Sequence, residues 1–318
     1  MDYEGRLSRV REAMRERGIA LMYLRRGANL FYLTGIKRKG PELTDNNSFG
    51  DYIHGAYITL TGGITILAPR MGASGWKKQA EGKPWITRVK ILDESERPKE
   101  ILREVIGQLN MRGKGVAIEE RAWAHTVLLF RQVMPYSKLS NASEIIEPMR
   151  MIKDSDEIEV MKKAGEITDR VYGKVVDGLE RGQSEIDVAN AIDYEFRKQG
   201  ADYNSFVTGV RFRSPNHPWI LGESPDKPRL LEDGDTISFD FGCVYDGYCS
   251  DFGRTVYVGE PPAKVQEIHD LVMTAQGTAI EQMKEGELTC EQLDSVARGI
   301  IERGGYGENF VHRLGHGI

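Results

Sequence analysis

The chain has 318 residues, 40% hydrophobic and 29% charged, with a formal net charge of −5. That composition excludes disorder over most of the length and suits two domains of about 100–200 residues each. The acidic balance argues against a nucleic-acid-coating surface, and no unbroken apolar run approaches the ~20 residues that cross a bilayer.

The N-terminal stretch MDYEGRLSRVREAMRERG is charged and amphipathic, which is not a signal-peptide pattern. Leu7, Val10 and Met14 recur at helical spacing until Gly18, so residues 2–17 are predicted to be a helix. IALMYL (19–24) reads as a buried strand, followed by a second short unit, NLFYLTG (29–35), and a polar loop over 37–51. AYITLTGGITILAP (56–69) reads as a hairpin around Gly62-Gly63. An amphipathic helix over 97–112 and a strand over 115–120 complete an α/β domain with a mixed sheet, and the domain cut is placed at 152/153.

From Asp154 the texture changes to one long helical pattern. Ser155 is read as its N-cap, and Ile158 three residues on gives no capping box. A second helix spans roughly 184–199, a strand covers 204–210, and a proline-rich loop follows, including His217 and the stretch 218–231. Two strands then sit in DTISFDFG and GYCSDFGRTVYVG, joined by a tight turn, before helices at about 262–283 and 289–303. Cys243, Cys249 and Cys290 have no metal-site spacing, which suits free thiols in a reducing, cytoplasmic setting.

The informative segment is TISFDFGCVYDGYCSDFGRT, residues 236–255. With the turn centred between Tyr245 and Asp246, Asp240 and Asp251 face each other, their Cβ atoms about 4.5–5.5 Å apart. Two carboxylates that close need a shared proton, a basic side chain or a metal cation. The competing reading centres the turn elsewhere and leaves one aspartate on a solvated face. Phe239 and Phe241 beside Asp240 suggest apolar surroundings. In HRLGHG, His312 and His316 lie four apart and share a face in either a helix or a strand. Imidazole with carboxylates suits zinc, manganese, cobalt or iron. His217, in SPNHPW, reads on its own as a solvated loop histidine.

Three segments together resemble the creatinase, Xaa-Pro aminopeptidase and methionine aminopeptidase superfamily: IEPMRMIKDSDEIEVMKKAGEI, GDTISFDFGCVYDGYCSDFGRT and HRLGHGI. The resemblance implies a creatinase-like α/β N-terminal domain over 1–152 and an α+β pita-bread catalytic domain over 153–318, incomplete at its C-terminal end. It implies that Asp240 binds one metal, Asp251 bridges two, and His316 ligates the second. His312 would bind substrate or steady the tetrahedral intermediate, and His217 matches the upstream catalytic histidine. The implied cofactor is manganese or cobalt, with zinc also within range, and the implied substrate is a peptide with proline in the second position. A homodimer is also implied, with no nucleic-acid or membrane partner.

Two glutamate ligands and a third histidine of the family pattern would lie beyond Ile318. The sequence is therefore expected to be a truncated form that binds one metal or none and has little dinuclear peptidase activity. Two other readings of the same scaffold are a small-molecule hydrolase or lyase with a changed loop over 218–231, and a non-catalytic pseudo-peptidase that binds a partner.

Overall fold

The computed structural model describes residues 1–38, 49–109, 115–215 and 229–318. The chain divides into two compact units. One holds Met1–Lys163 with Val244–Tyr248, and the other holds Ala164–Cys243 with Cys249–Ile318. His217 and most of the loop 218–231 lie outside the described residues. Among the described residues, no helix is long and apolar enough to cross a membrane.

In the first unit, α1 (Tyr3–Glu16) starts where Asp2 accepts a hydrogen bond from the Gly5 amide. It buries Leu7, Val10 and Met14, the residues whose spacing announced it. Six strands follow: β1 (Ile19–Leu24), β2 (Gly55–Thr59), β3 (Ile64–Pro69), β4 (Ile86–Leu92), β5 (Gly115–Ile118) and β6 (Leu139–Asn141). They form one sheet in the order β4-β3-β2-β1-β5-β6. The sheet is mixed: β1 pairs antiparallel with β2 and parallel with β5. NLFYLTG forms a helix, α2 (Ala28–Thr34). Four more helices are α3 (Ala73–Ala80), α4 (Pro98–Gln108), α5 (Ala124–Val133) and α6 (Ser143–Met151).

Every residue of β1 is buried, because both faces of the sheet are covered. Met22 and Leu24 pack with Leu7, Val10, Met14 and Ile145 on one face. Leu21 and Tyr23 pack with Leu102, Val105 and Phe130 on the other.

The long helix α7 (Ser155–Asp177) begins at the residue predicted to be its cap. The cap is Asp154, whose Oδ1 accepts from the Glu157 amide at 2.9 Å while Glu157 Oε2 accepts from the Asp154 amide at 2.9 Å. This is a reciprocal capping arrangement, and placing the cap at Ser155 hid it by shifting the count one residue. Glu157 does more than cap. Its Oε2 lies 3.2 Å from the Arg6 guanidinium, and its Oε1 accepts from the Tyr248 hydroxyl at 2.9 Å. Arg6 is 1% exposed, and its guanidinium lies 4.2 Å from the centre of the Tyr32 ring. Asp154 also accepts from Arg6, at 2.6 Å. These partners hold Arg6 in its charged form against the cost of burial.

The second unit takes α7 onward from Ala164, then α8 (Glu185–Lys198), β7 (Tyr203–Asn204) and β8 (Gly209–Arg213). The single strand expected over 204–210 is thus two pieces, and Ser205, which follows β7, turns aside to bond Gly242 and Ser250. Next come β9 (Thr236–Phe241), β10 (Cys243–Tyr245), β11 (Tyr248–Cys249) and β12 (Phe252–Tyr257). The helices α9 (Ala263–Gln282) and α10 (Cys290–Arg303) pack through Ala275, Ala279, Ala297 and Ile301. Both α8 and α10 open with capping boxes, Ser184 with Asp187 and Thr289 with Gln292. The core carries an aromatic chain, with Phe241 packed against Phe196, Phe239 and Phe252. None of the three cysteines forms a disulfide among the described residues.

Two stability predictions follow from the first unit. Glu157→Ala leaves buried Arg6 with Asp154 as its one carboxylate and removes the acceptor of the Tyr248 hydroxyl, at a cost of about 1–3 kcal/mol in urea unfolding. His54 is 8% exposed, and burial pushes its imidazole down to about 4. The folded chain therefore takes up no proton there until well below the pH at which the unfolded chain does. Its stability is full above pH 6.5 and falls, by an amount on the order of 3 kcal/mol, as pH drops from 6.5 toward 4. His54→Gln flattens this segment of the stability–pH curve.

Candidate active site

The sheet of β12, β9 and β8 has β9 at its centre. Along β9, Ile237, Phe239 and Phe241 are buried, while Asp240 is exposed on the opposite face. The phenylalanines beside Asp240 in sequence therefore do not surround it, because consecutive strand residues point to opposite sides. Asp240 is flanked by two glycines, Gly253 on β12 and Gly209 on β8. A Cβ at Gly209 would stand 3.3 Å from the Asp240 Cβ. The missing side chains on both sides leave room around the carboxylate for a bound group.

The register differs from the expected one. β12 pairs with β9 through Phe252–Phe241, Gly253–Asp240 and Arg254–Phe239. The turn is centred between Asp246 and Gly247, one residue beyond the predicted centre, and both adopt positive φ, 49° and 86°. That is the backbone a two-residue hairpin turn demands. Asp251 thus lies diagonal to Asp240 instead of opposite. A two-residue slip in pairing keeps the same face, so both carboxylates remain on the open side of the sheet.

Asp251 sits just before β12, where Gly242 comes so near the Ser250 carbonyl that a Cβ would be 2.1 Å from that oxygen. Ser250 is fixed by a hydroxyl–hydroxyl hydrogen bond with Thr168 at 2.7 Å and by one that its hydroxyl accepts from the Cys243 amide at 2.9 Å. Asp251 Oδ2 lies 3.3 Å from His316 Nε2. The Asp240 carboxyl is pushed up from the usual range by burial and then by the negative charge of Asp251, with His316 opposing. The electrostatic field therefore joins Asp240, Asp251 and His316, and the closest pair is in direct contact. They do not close into a cage: among the described residues, no group of three His, Cys, Asp or Glu side chains is arranged to hold a metal ion. Two carboxylates and an imidazole are a suitable donor set for a borderline divalent cation. His312 lies on the same tail, exposed, four residues before His316.

The tail is held by a device that sequence reasoning missed. Arg298 on α10 donates to the carbonyls of Phe310 at 2.8 Å and His312 at 3.1 Å. Its Nε bonds Asp294 at 2.9 Å, and the other Asp294 oxygen accepts from the Leu314 amide at 2.6 Å. The guanidinium beside Asp294 and the Leu314 amide hold that carboxyl below its usual range. An Asp and an Arg four apart on a helix were visible as a pair, but their reach to the tail was not.

Residues 159–318 match the model described as metallopeptidase family M24, and residues 6–152 match the Creatinase/Prolidase N-terminal domain. The chain belongs to metallopeptidase family M24. Over 314 residues, 98% of this chain and 81% of the relative, it is 29% identical to the Xaa-Pro dipeptidase of Pyrococcus furiosus. The crystal structure of a recombinant prolidase from Thermococcus sibiricus superposes with a TM-score of 0.85 at 33% identity, covering 100% of this chain and 82% of that one. That of an X-Pro aminopeptidase from Thermotoga maritima gives 0.73 at 28%, covering 93% and 79%. This M24 enzyme therefore pairs a creatinase-type N-terminal domain with the pita-bread fold, and its family is that of divalent-metal-dependent peptidases.

The clamp on the tail of this M24 peptidase is directly measurable. In Asp294→Ala the Leu314 amide loses its acceptor, and its hydrogen exchange accelerates at least about tenfold while α9 amides keep their protection.

Proposed function

We propose that this M24 peptidase cleaves the bond preceding proline in short peptides, as an Xaa-Pro dipeptidase or aminopeptidase. The gathering of Asp240, Asp251 and His316 on the glycine-flanked open face of β9 carries the reading. The names of the relatives point to the proline-specific bond. Asp240, Asp251 and His316 are the proposed ligands, with manganese or cobalt as the metal. When bound, the metal polarises the scissile carbonyl and makes water a nucleophile near neutral pH.

The chain's own groups do the rest. The two aspartates bring the negative charge that retains a cation, and each needs that cation because the other is near. His316, in contact with Asp251, presents imidazole nitrogen to the same region. His312, on the clamped tail, is the proposed donor to the oxygen that gains charge as the carbonyl becomes tetrahedral. His217 is the proposed upstream catalytic histidine, from the sequence alone. A homodimer and a cytoplasmic location complete the proposal.

Three such side chains, as proposed ligands, would suffice for one cation with open positions. Metal binding at these three side chains is expected to be required for hydrolysis of Xaa-Pro peptides. Titration with manganese or cobalt, followed by metal analysis, tests this. Asp240→Ala, Asp251→Ala and His316→Ala each weaken binding by more than the roughly 10–100-fold that a supporting residue commands, while His312→Ala leaves it unchanged. Xaa-Pro hydrolysis that persists without any divalent metal would contradict the reading. Metal binding indifferent to all three substitutions would remove the site.

A further inference from the structure

The N-terminal unit contains a polar cavity of about 240 Å³ that the peptidase chemistry does not use. It is smaller than the roughly 300–1,000 Å³ pockets that take drug-sized ligands, so its occupant is small. Its lining carries five arginines against two glutamates. Glu119 is 5% exposed; Asn29 donates to its Oε1 at 3.1 Å, and its Oε2 has no hydrogen-bond partner. Asn29 is itself 3% exposed and accepts from Arg150 Nη1 at 2.8 Å. Beside them, Gly27 has no side chain to screen the Glu119 carboxylate: a Cβ there would lie 3.9 Å from Oε1. The side chain of Arg121 is exposed on the rim.

We propose that this cavity binds a small zwitterion of the α-amino-acid type, its ammonium on the Glu119 carboxylate and its carboxylate on the guanidinium groups of Arg121 and Arg150. The two halves of the site require both charges. A buried carboxylate with an unpaired oxygen calls for a donor, and an ammonium group supplies several. The surplus of guanidinium groups repels a simple cation and calls for a carboxylate, which guanidinium binds with matching planar geometry. A simple anion would satisfy the arginines and leave Glu119 as it is. Burial pushes the Glu119 carboxyl up to about 7, so an incoming ammonium would also restore its ionised form.

The site is independent of the metal centre, and the test is run in a chelator to keep the two apart. Isothermal titration of the full chain in EDTA with L-alanine and L-proline is expected to give one site per chain. Acetate, inorganic phosphate and L-prolinamide, which carry only one kind of charge, are expected to bind at least about tenfold more weakly. Glu119→Gln and Arg121→Ala each reduce amino-acid affinity roughly ten- to hundredfold. Arg121 is exposed, so its variant tests the site even if the Glu119 variant fails to fold. The proposal is overturned if neither amino acid binds at millimolar concentration, or if binding ignores both substitutions. It is also overturned if phosphate binds as tightly as the amino acids, which would make this a plain anion site.

Discussion

The antiparallel pairing of β9 with β12 is the constraint on which the geometry of the proposed metal site depends. The Asp246–Gly247 turn sets that pairing, because positive φ at two successive positions is available almost only to Asn, Asp and Gly. Once the turn is fixed, the period of two along each strand decides which side chains share a face. Ile237, Phe239 and Phe241 go to the core, and Asp240 goes to the opening. The apolar face holds the register, since a slip of one residue would exchange phenylalanines for an aspartate in the interior. The Asp240 carboxylate is thus positioned by its hydrophobic neighbours, although it lies on the face opposite theirs.

This explains what was legible in the sequence and what was not. The aspartates were placed together from a turn centre that was off by one residue, yet the conclusion that they share a face survives. Shifting the centre by one moves the pairing by two, which preserves face while changing distance. Half a residue would have reversed it. The helices α1, α8, α9 and α10 were legible because periodicity and caps marked them. The short elements α3, β4, α5, β6 and α6 carry weaker patterns, and NLFYLTG, short and apolar, reads equally as strand or helix until packing decides.

What the Asp154–Glu157 box and the Asp294–Arg298 pair bind beyond themselves was hidden for a different reason. Both are local pairs in sequence whose partners are distant. Glu157 meets Arg6 and Tyr248, and Asp294 with Arg298 reaches Phe310, His312 and Leu314. A capping pattern announces a helix start, and an i,i+4 ion pair announces a solvated helix face. Neither announces that the same side chain will be shared with another segment. Such shared groups contribute more than their sequence motif suggests, because removing one leaves several partners unsatisfied at once.

Asp240 and Glu119 follow one physical rule in two settings. In each, burial raises a carboxyl, and the surrounding protein does not fully compensate for its charge. At Asp240, the near neighbour that raises it further is another carboxylate, which a divalent cation can serve at the same time. At Glu119, the surrounding charges are guanidinium groups, which already oppose the burial and would repel a metal. A compact cation tethered to an anion meets that environment where a free cation does not. The sign of the neighbours, with equal burial of neither required, separates a centre suited to a metal from one suited to an amino acid.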